Sequence, residues 1–165
     1  MKKRHIFPFA VAAFVVLLDQ ITKFYISSSM SVYDSTPVID GFFNITYVRN
    51  AGAAFGFLAK ASPMIRSLFL IGVTIAVILL IIYYIWKIKA EEKLFVLPLS
   101  LILGGAVGNL IDRIRFGEVI DFLDFYIGSC HWPAFNVADS AISVGAIILV
   151  FEMFRKKDKK IRSDG

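Results

Sequence analysis

The sequence predicts a mainly α-helical integral membrane protein, with four transmembrane helices and a small extracytoplasmic β-sheet cradle. Three observations predict it. Hydrophobic residues make up 58% of the 165 positions, more than a soluble domain usually carries, and the excess is gathered into runs. Four of those runs approach the ~20 residues needed to cross a hydrocarbon core of ~30 Å. Basic residues cluster beside the runs: Lys2, Lys3 and Arg4 before the first, Lys87, Lys89 and Lys93 between the second and third, and Arg155, Lys156, Lys157, Lys159, Lys160 and Arg162 after the fourth. By the positive-inside rule, all three clusters are explained at once if both termini and the middle loop are cytoplasmic. One membrane-embedded domain, 1–165, is the expected organisation. A basic tail also suits nucleic acid, but beside four apolar spans no nucleic-acid partner is expected.

The first segment, about 6–26, starts like a secretory leader, basic and then apolar. No small-residue cleavage site follows and the segment holds Asp19 and Lys23, so a retained helix is expected. The stretch that follows carries a β-rich element at about 38–59. Its centre, Phe42 to Val48, alternates and is bounded by Asp40-Gly41 and Asn50. The second segment, about 64–86, opens after Ser62-Pro63, a cap and first-turn proline. It is almost purely apolar, which predicts a lipid-facing buttress with Tyr83, Tyr84 and Trp86 as interfacial anchors. The third, about 94–112, contains Gly104 and Gly108, a Gly-x-x-x-Gly pair that permits close helix approach. Residues 113–133 read as an outer loop whose aromatics, Phe116, Phe122, Phe125, Tyr126 and Trp132, dip into the headgroup region. The fourth segment, about 136–154, offers Ser140, Ser143 and Gly145 as small contact positions.

Polar residues inside these spans share a depth. Counting helical rise from Ile6 to Asp19, from Leu94 to Asn109 and back from Met153 to Asp139 puts each roughly 20 Å in, about two thirds across. Ionisable groups at that depth are costly and mark a bundle interior or a wet cavity.

The chemistry available there is carboxylate chemistry. The single cysteine, Cys130, excludes an internal disulfide, and no Cys/His set has zinc spacing. Cys130 and His131 are adjacent in sequence, a poor geometry for a thiol and its base. No serine sits in a Gly-x-Ser-x-Gly setting. A carboxylate-only metal site would normally recruit His, and none lies at the right depth, so neither a metal nor another cofactor is expected. Asp121 and Asp139 are the pair whose positions, before and just inside the fourth span, suit two acids sharing a proton over a bound water. The alternative left open by spacing is that Asp121 pairs with Arg113 or Arg115 at the surface while Asp139 caps the fourth helix. Asp19 and Lys23, one turn apart, suit a mutual ion pair. Asn50 stands beside small residues where a backbone can approach, and Arg113 follows Asp112 at the outer end of the third span.

Five motifs then appear in order: Asp19-Gln20-x-x-Lys23; Asn50-x-Gly52-Ala53-Ala54-Phe55; Gly104-Gly105-x-x-Gly108-Asn109-x-x-Asp112-Arg113; Val119-x-Asp121-Phe122; and Phe135-Asn136-x-Ala138-Asp139. With them the chain resembles, over nearly its whole length, the bacterial lipoprotein signal peptidases, or signal peptidase II. The resemblance implies an intramembrane aspartic endopeptidase that removes the signal peptide from a prolipoprotein, cutting before a diacylglyceryl-modified cysteine. It implies Asp121 and Asp139 as the catalytic pair. Asp19, Lys23, Asn50, Gly52, Asn109, Arg113, Asn136 and Ala138 become substrate-binding or supporting positions. It further implies no cofactor, membrane lipids as partners, inhibition by globomycin-type cyclic peptides, action as a monomer, and a bacterial inner-membrane location with the active site near the outer face. Two rivals come from other classes. One is a proton-coupled transporter with Asp19, Asp112 and Asp139 as a relay, against which stands the absence of internal symmetry. The other is a non-catalytic assembly factor that docks through the outer aromatics.

Overall fold

In the computed structural model, residues 6–52, 62–88 and 94–164 are described, with side chains as far as Lys156. The elements run α1 (Ile6–Ser29), β1 (Ser35–Ile39), β2 (Phe43–Asn50), α2 (Pro63–Lys87), α3 (Val96–Phe116), β3 (Val119–Ile127), β4 (Cys130–His131) and α4 (Val137–Asp164). Four of these helices are long and apolar enough to cross a membrane.

α3 is the centre of the bundle and packs against α1, α2 and α4. Its glycines set the approach of two neighbours. Gly104 and Gly108, the pair singled out by spacing, both face α1: an added β-carbon would lie 2.7 Å from Val15 Cβ at the first and 2.6 Å from Asp19 Oδ2 at the second. Gly105, outside that pair, brings α4 in, because a β-carbon there would run into the Ala138 carbonyl oxygen. α2 contributes Ile81 and Ile85 to the buried core with Ala12 and Leu103, Ile78 and Ile82 pack partly buried against it, and most of the helix faces outward, as its composition predicts. Ser62 caps it, accepting a hydrogen bond from the Ile65 N–H, with Pro63 in the first turn.

The helix ends differ from the sequence expectation. α1 runs three residues further, to Ser29. α3 begins at Val96 after a short 3₁₀ turn and continues past Asp112 to Phe116, where Gly117 closes it in the left-handed conformation (φ 74°). α4 begins one residue later than expected, and beyond its apolar span it continues as a polar, basic helix to Asp164.

The larger correction concerns 113–133, which is not a loop. After α3 ends, Val119–Ile127 forms β3, and Cys130–His131 pairs back on it as β4. The antiparallel sheet has the order β1-β2-β3-β4. The run Val-Ile-Asp-Phe-Leu-Asp-Phe-Tyr-Ile is rich in β-branched and aromatic residues, so its strand propensity was present in the sequence. The expected β element at 38–59 begins earlier, at Ser35, and ends at Asn50; positions 53–59 lie outside the described residues.

Candidate active site

Two elements of register place the site. In the β2–β3 pair, Val48 faces Asp121 and Asn50 faces Val119, so Asn50 and Asp121 are diagonal neighbours on one face of the sheet. An isolated bridge joins Leu123 to Phe135, whose carbonyl accepts the N–H groups of Phe122 (3.0 Å) and Leu123 (2.8 Å). That bridge holds the chain entering α4 against β3 and delivers Asn136 to the side of Asp121.

The deeper layer is built around Lys23. Its ammonium lies 2.9 Å from Asp19 Oδ2 and 2.8 Å from Asp112 Oδ2, and donates to Asn109 Oδ1 at 3.0 Å. Asp19, Lys23 and Asp112 are all at most 2% exposed. The expected Asp19–Lys23 pair is therefore half of a buried triad. Asp19 also accepts the Ala138 N–H through Oδ1 (3.0 Å), tying α1 to the first turn of α4. Gln20 donates to Asp112 Oδ1 (3.0 Å), Asp19 Oδ2 (3.2 Å) and the Gly108 carbonyl (3.2 Å). The second Asp112 oxygen accepts the Ile120 N–H at the start of β3.

The outer layer consists of amides aimed at two carboxyls. Asn136 Nδ2 donates to Asp121 Oδ1 (2.7 Å), to the Ile120 carbonyl and to Asn109 Oδ1. Asn50 Nδ2 donates to Asp121 Oδ2 (2.9 Å), while its own oxygen accepts the Gly52 N–H. Gly52 holds φ at +79°, a conformation that favours glycine, and its open side faces the end of the Leu70 side chain of α2. Asn109 Nδ2 donates to Asp139 Oδ1 (2.7 Å). Asp121 is buried, whereas Asp139 is half-buried, and its Oδ2 has no partner among the described residues. Burial pushes the Asp121 carboxyl up to about 7; the charge of Asp139 adds to the rise, and the Asn50 and Asn136 amides oppose it.

The alternative sequence reading of the aspartates, a surface salt bridge and a helix cap, differs from this geometry. Asp139 does not cap α4. Asn136 does, its oxygen accepting the Asp139 N–H at 2.8 Å, which leaves the Asp139 side chain free to face the site. Asp121 forms no ion pair with Arg113 or Arg115 among the described residues. Arg113 is half-buried at the edge, in the field of Asp139, Asp121 and Asp112. Asp19, Lys23, Asn50, Asn109, Asp121, Asn136, Ala138 and Asp139 thus share one hydrogen-bonded network. Gly52 joins it through Asn50, and Arg113 stands beside it. Two members, Gln20 and Asp112, were not among the sequence-predicted site residues, although both lie inside quoted motifs; Asp112 stands three residues from Asn109 on one helical face. Cys130 is exposed, and His131 is turned toward Asp124 (2.8 Å) and stacked on Tyr126, away from any thiol chemistry. Among the described residues, no group of three or more acidic, His or Cys side chains is arranged to hold a metal ion.

Fold and site together define a multi-pass membrane protein with a buried polar centre whose outer edge presents two bridged carboxyls. The family model for signal peptidase (SPase) II matches residues 11–155. A lipoprotein signal peptidase of Syntrophus aciditrophicus is 56% identical over 160 residues, covering 97% of this chain and 99% of that protein. One of Geobacter sulfurreducens is 50% identical over 151 residues, covering 92% and 93%. A solved bacterial membrane enzyme structure superposes with a TM-score of 0.81 at 35% identity, over 93% of this chain and 90% of that one. The chain belongs to the signal peptidase II family; it is a peptidase, hence a hydrolase, of the bacterial membrane.

Proposed function

We propose that this chain removes the signal peptide from diacylglyceryl-modified prolipoproteins, cutting before the lipid-bearing cysteine by an aspartic mechanism with Asp121 and Asp139 as the pair. The observation that carries this reading is the amide bridge: Asn136 on Asp121, Asn109 on Asp139, and Asn136 on Asn109.

Asn136 and Asn109 link the two acids, and the charge of Asp139 adds to the rise at Asp121. Burial is the larger cause of that rise and makes Asp121 the holder of the catalytic proton. Its neutral carboxyl polarises the scissile carbonyl, and Asp139, half-exposed with one free oxygen, takes a proton from the attacking water. The tetrahedral intermediate collapses when that proton passes to the leaving amine. Arg113 lies where it offsets developing negative charge. No step needs a metal or cofactor.

The sheet stands over the pair as a cradle for the lipid-bearing segment. The basic clusters support cytoplasmic termini and an outer-face site, which a lipidated substrate reaches by lateral diffusion. The enzyme acts as a monomer, and globomycin-type peptides block it by occupying the pair. The transporter relay is disfavoured, because Asp19 and Asp112 are both clamped by Lys23.

The test incubates purified protein with a diacylglyceryl-modified precursor, with and without chelator. Asp121→Asn and Asp139→Asn are each expected to lower cleavage by roughly 10²- to 10⁴-fold while the protein stays membrane-inserted. Full activity in either variant, or inhibition by chelators, refutes the pair.

A further inference from the structure

We propose that Arg49 and Arg115, both stacked on the Phe116 ring, bind the phosphate of an anionic phospholipid at the edge of the bilayer. Phe116 ends α3, seven residues beyond Asn109 and so about 10 Å further along by helical rise. With Asn109 roughly 20 Å into the core, the ring stands at the ~30 Å boundary where hydrocarbon meets headgroups. The guanidinium carbon of Arg49, on β2, lies 4.8 Å from the ring centre, and that of Arg115, in the last turn of α3, lies 4.9 Å from it. Laid end to end, those distances are the greatest possible separation of the two cations. That is about one Debye length of ~10 Å, so each feels the other's charge. Two like charges held on one ring favour an anion that both can reach.

Arg49 is half-buried and held in one orientation. Its Nε and Nη2 both donate to the Tyr47 hydroxyl, at 3.0 and 2.7 Å, and Tyr47 is 3% exposed. That neutral oxygen takes two of the five N–H groups of a guanidinium, and the others meet no partner among the described residues. Arg115 is exposed, and neither arginine forms an ion pair among the described residues. Nearby acids are engaged elsewhere or out of reach. Asp112, one turn before Arg115, is clamped by Lys23, Gln20 and the Ile120 N–H. Asp34, whose carbonyl accepts the Tyr47 N–H, closes its own turn on the Ser31 N–H. Glu118 forms no ion pair with either arginine, and positions 51–61 contain no Asp or Glu. The end of α3 adds only a partial negative charge. Arginine forks match phosphate oxygens, and the surroundings suit a lipid rather than the free ion. Ile114, next to Arg115, and Phe24, across from it on α1, are 64% and 72% exposed, an apolar surface for acyl chains. The recess between them and the ring, lined also by Ser27, is about 40 Å³, room for water or a headgroup hydroxyl but not for a chain. A zwitterionic lipid brings its own cation to the same place and gains less. That the occupied leaflet is the outer one rests on the orientation proposed above; the binding itself rests neither on that nor on the peptidase reading.

The experiment titrates the purified full chain in detergent with phosphatidylglycerol or phosphatidylcholine, reading bound lipid by native mass spectrometry and the thermal midpoint alongside. Phosphatidylglycerol is expected to be retained and stabilising, and phosphatidylcholine much less so. Arg115→Gln is expected to weaken phosphatidylglycerol binding about fivefold, and Arg49→Gln/Arg115→Gln roughly 25-fold. Should the double variant fail to fold, Arg115→Glu, at an exposed position, carries the test and is expected to lose at least as much as Arg115→Gln. Arg66→Gln, which removes an arginine from the first turn of α2, is the control and is expected to bind as the parent does. Equal retention of the two lipids by the parent chain overturns the proposal. So does unchanged binding in the Arg115 variants, or a loss in Arg66→Gln as large as theirs, which would reduce the effect to net charge. Displacement of the lipid by inorganic phosphate would give the site to the free ion, and displacement by a precursor peptide would give it to substrate; either result overturns the lipid assignment. Precursor cleavage is measured in parallel: its absence with lipid binding intact counts against the peptidase reading and not against this site.

Discussion

Replacing Lys23 by Met tests whether one ammonium holds the bundle's polar centre together. Its side chain is 2% exposed and touches two carboxylates and one amide oxygen, at 2.8 to 3.0 Å. Methionine keeps the length and fits the apolar path of the side chain, but it leaves Asp19 and Asp112 without a cation. Breaking a buried ion pair from one side costs about 3–5 kcal/mol, because the remaining charge stays buried and uncompensated. Here two carboxylates lose the same partner, so the upper part of that range applies. For a chain of this size, 1 kcal/mol shifts the midpoint by about 2–4 °C, so a fall of roughly 10 °C or more is expected in detergent-solubilised protein. The control is the triple variant Lys23→Met/Asp19→Asn/Asp112→Asn, which removes all three charges at nearly constant volume. It is expected to recover most of the lost stability, since a neutral replacement of a buried ionic cluster is often tolerated. The reasoning is refuted if the single variant melts within a degree or two of the parent, or if the triple variant is no more stable than the single one.

Other outcomes follow from the same geometry. Gly105→Ala is expected to cost about 1–3 kcal/mol and to lower activity, because its β-carbon meets the Ala138 carbonyl and pushes α4 from α3; Gly72→Ala, with nothing within 4 Å, is expected to leave the midpoint unchanged or slightly raised. The Asp121 carboxyl stands near 7, above its unfolded value of 3.8, so its neutral form fills below that pH and empties as pH rises through it. A kcat/KM profile for precursor cleavage is therefore expected to fall above about pH 7, and a flat profile to pH 9 would remove Asp121 as the acid. Asn50→Ala takes a donor from Asp121 and frees the Gly52 turn; the limb is expected to move to higher pH, since that amide favours the charged carboxylate. Cys130→Ser is expected to cleave at the parental rate, and a large loss would reopen thiol chemistry.

The four spans were legible because a bilayer imposes length and polarity with little tolerance, and the shared depth of Asp19, Asn109 and Asp139 followed from helical rise alone. Asn109 does donate to Asp139, and Asp19 does meet the α4 turn, though through the Ala138 N–H rather than side chain to side chain. What stayed hidden depends on tertiary register. Strand β3 lies in a stretch that reads as a loop, because charges at Asp121 and Asp124 interrupt the apolar pattern. In fact α3 carries on for another turn, and the strand starts two residues after its glycine cap. The alternative that gives the cap of α4 to Asp139 turns on a related point. Asn136 and Asp139 are both good capping residues, and only the observed helix start distinguishes cap from third position. Asp112 was noticed as a carboxylate but not as a ligand of Lys23, since a contact between α1 and α3 has no signature along the chain.

The arrangement of donors fixes which group each amide presents to the two acids. Lys23 can only donate, so Asn109 must turn its oxygen toward it and its Nδ2 toward Asp139. Asn136 is constrained in the same way: its oxygen is taken by the Asp139 N–H, so its amide nitrogen must face Asp121. Asn50 spends its oxygen on the Gly52 N–H and likewise presents nitrogen. Three neutral amides thus have one orientation each, all pointing donors at the pair. Donors of this kind favour the charged carboxylate, whereas burial favours the neutral acid. For Asp121 the two pressures meet near neutrality, where a carboxyl can both give and take a proton. A cation in place of Asn50 or Asn136 would pull the Asp121 balance toward permanent ionisation; an apolar residue would push it toward a permanently neutral acid. Asparagine at positions 50 and 136 keeps that carboxyl between the two.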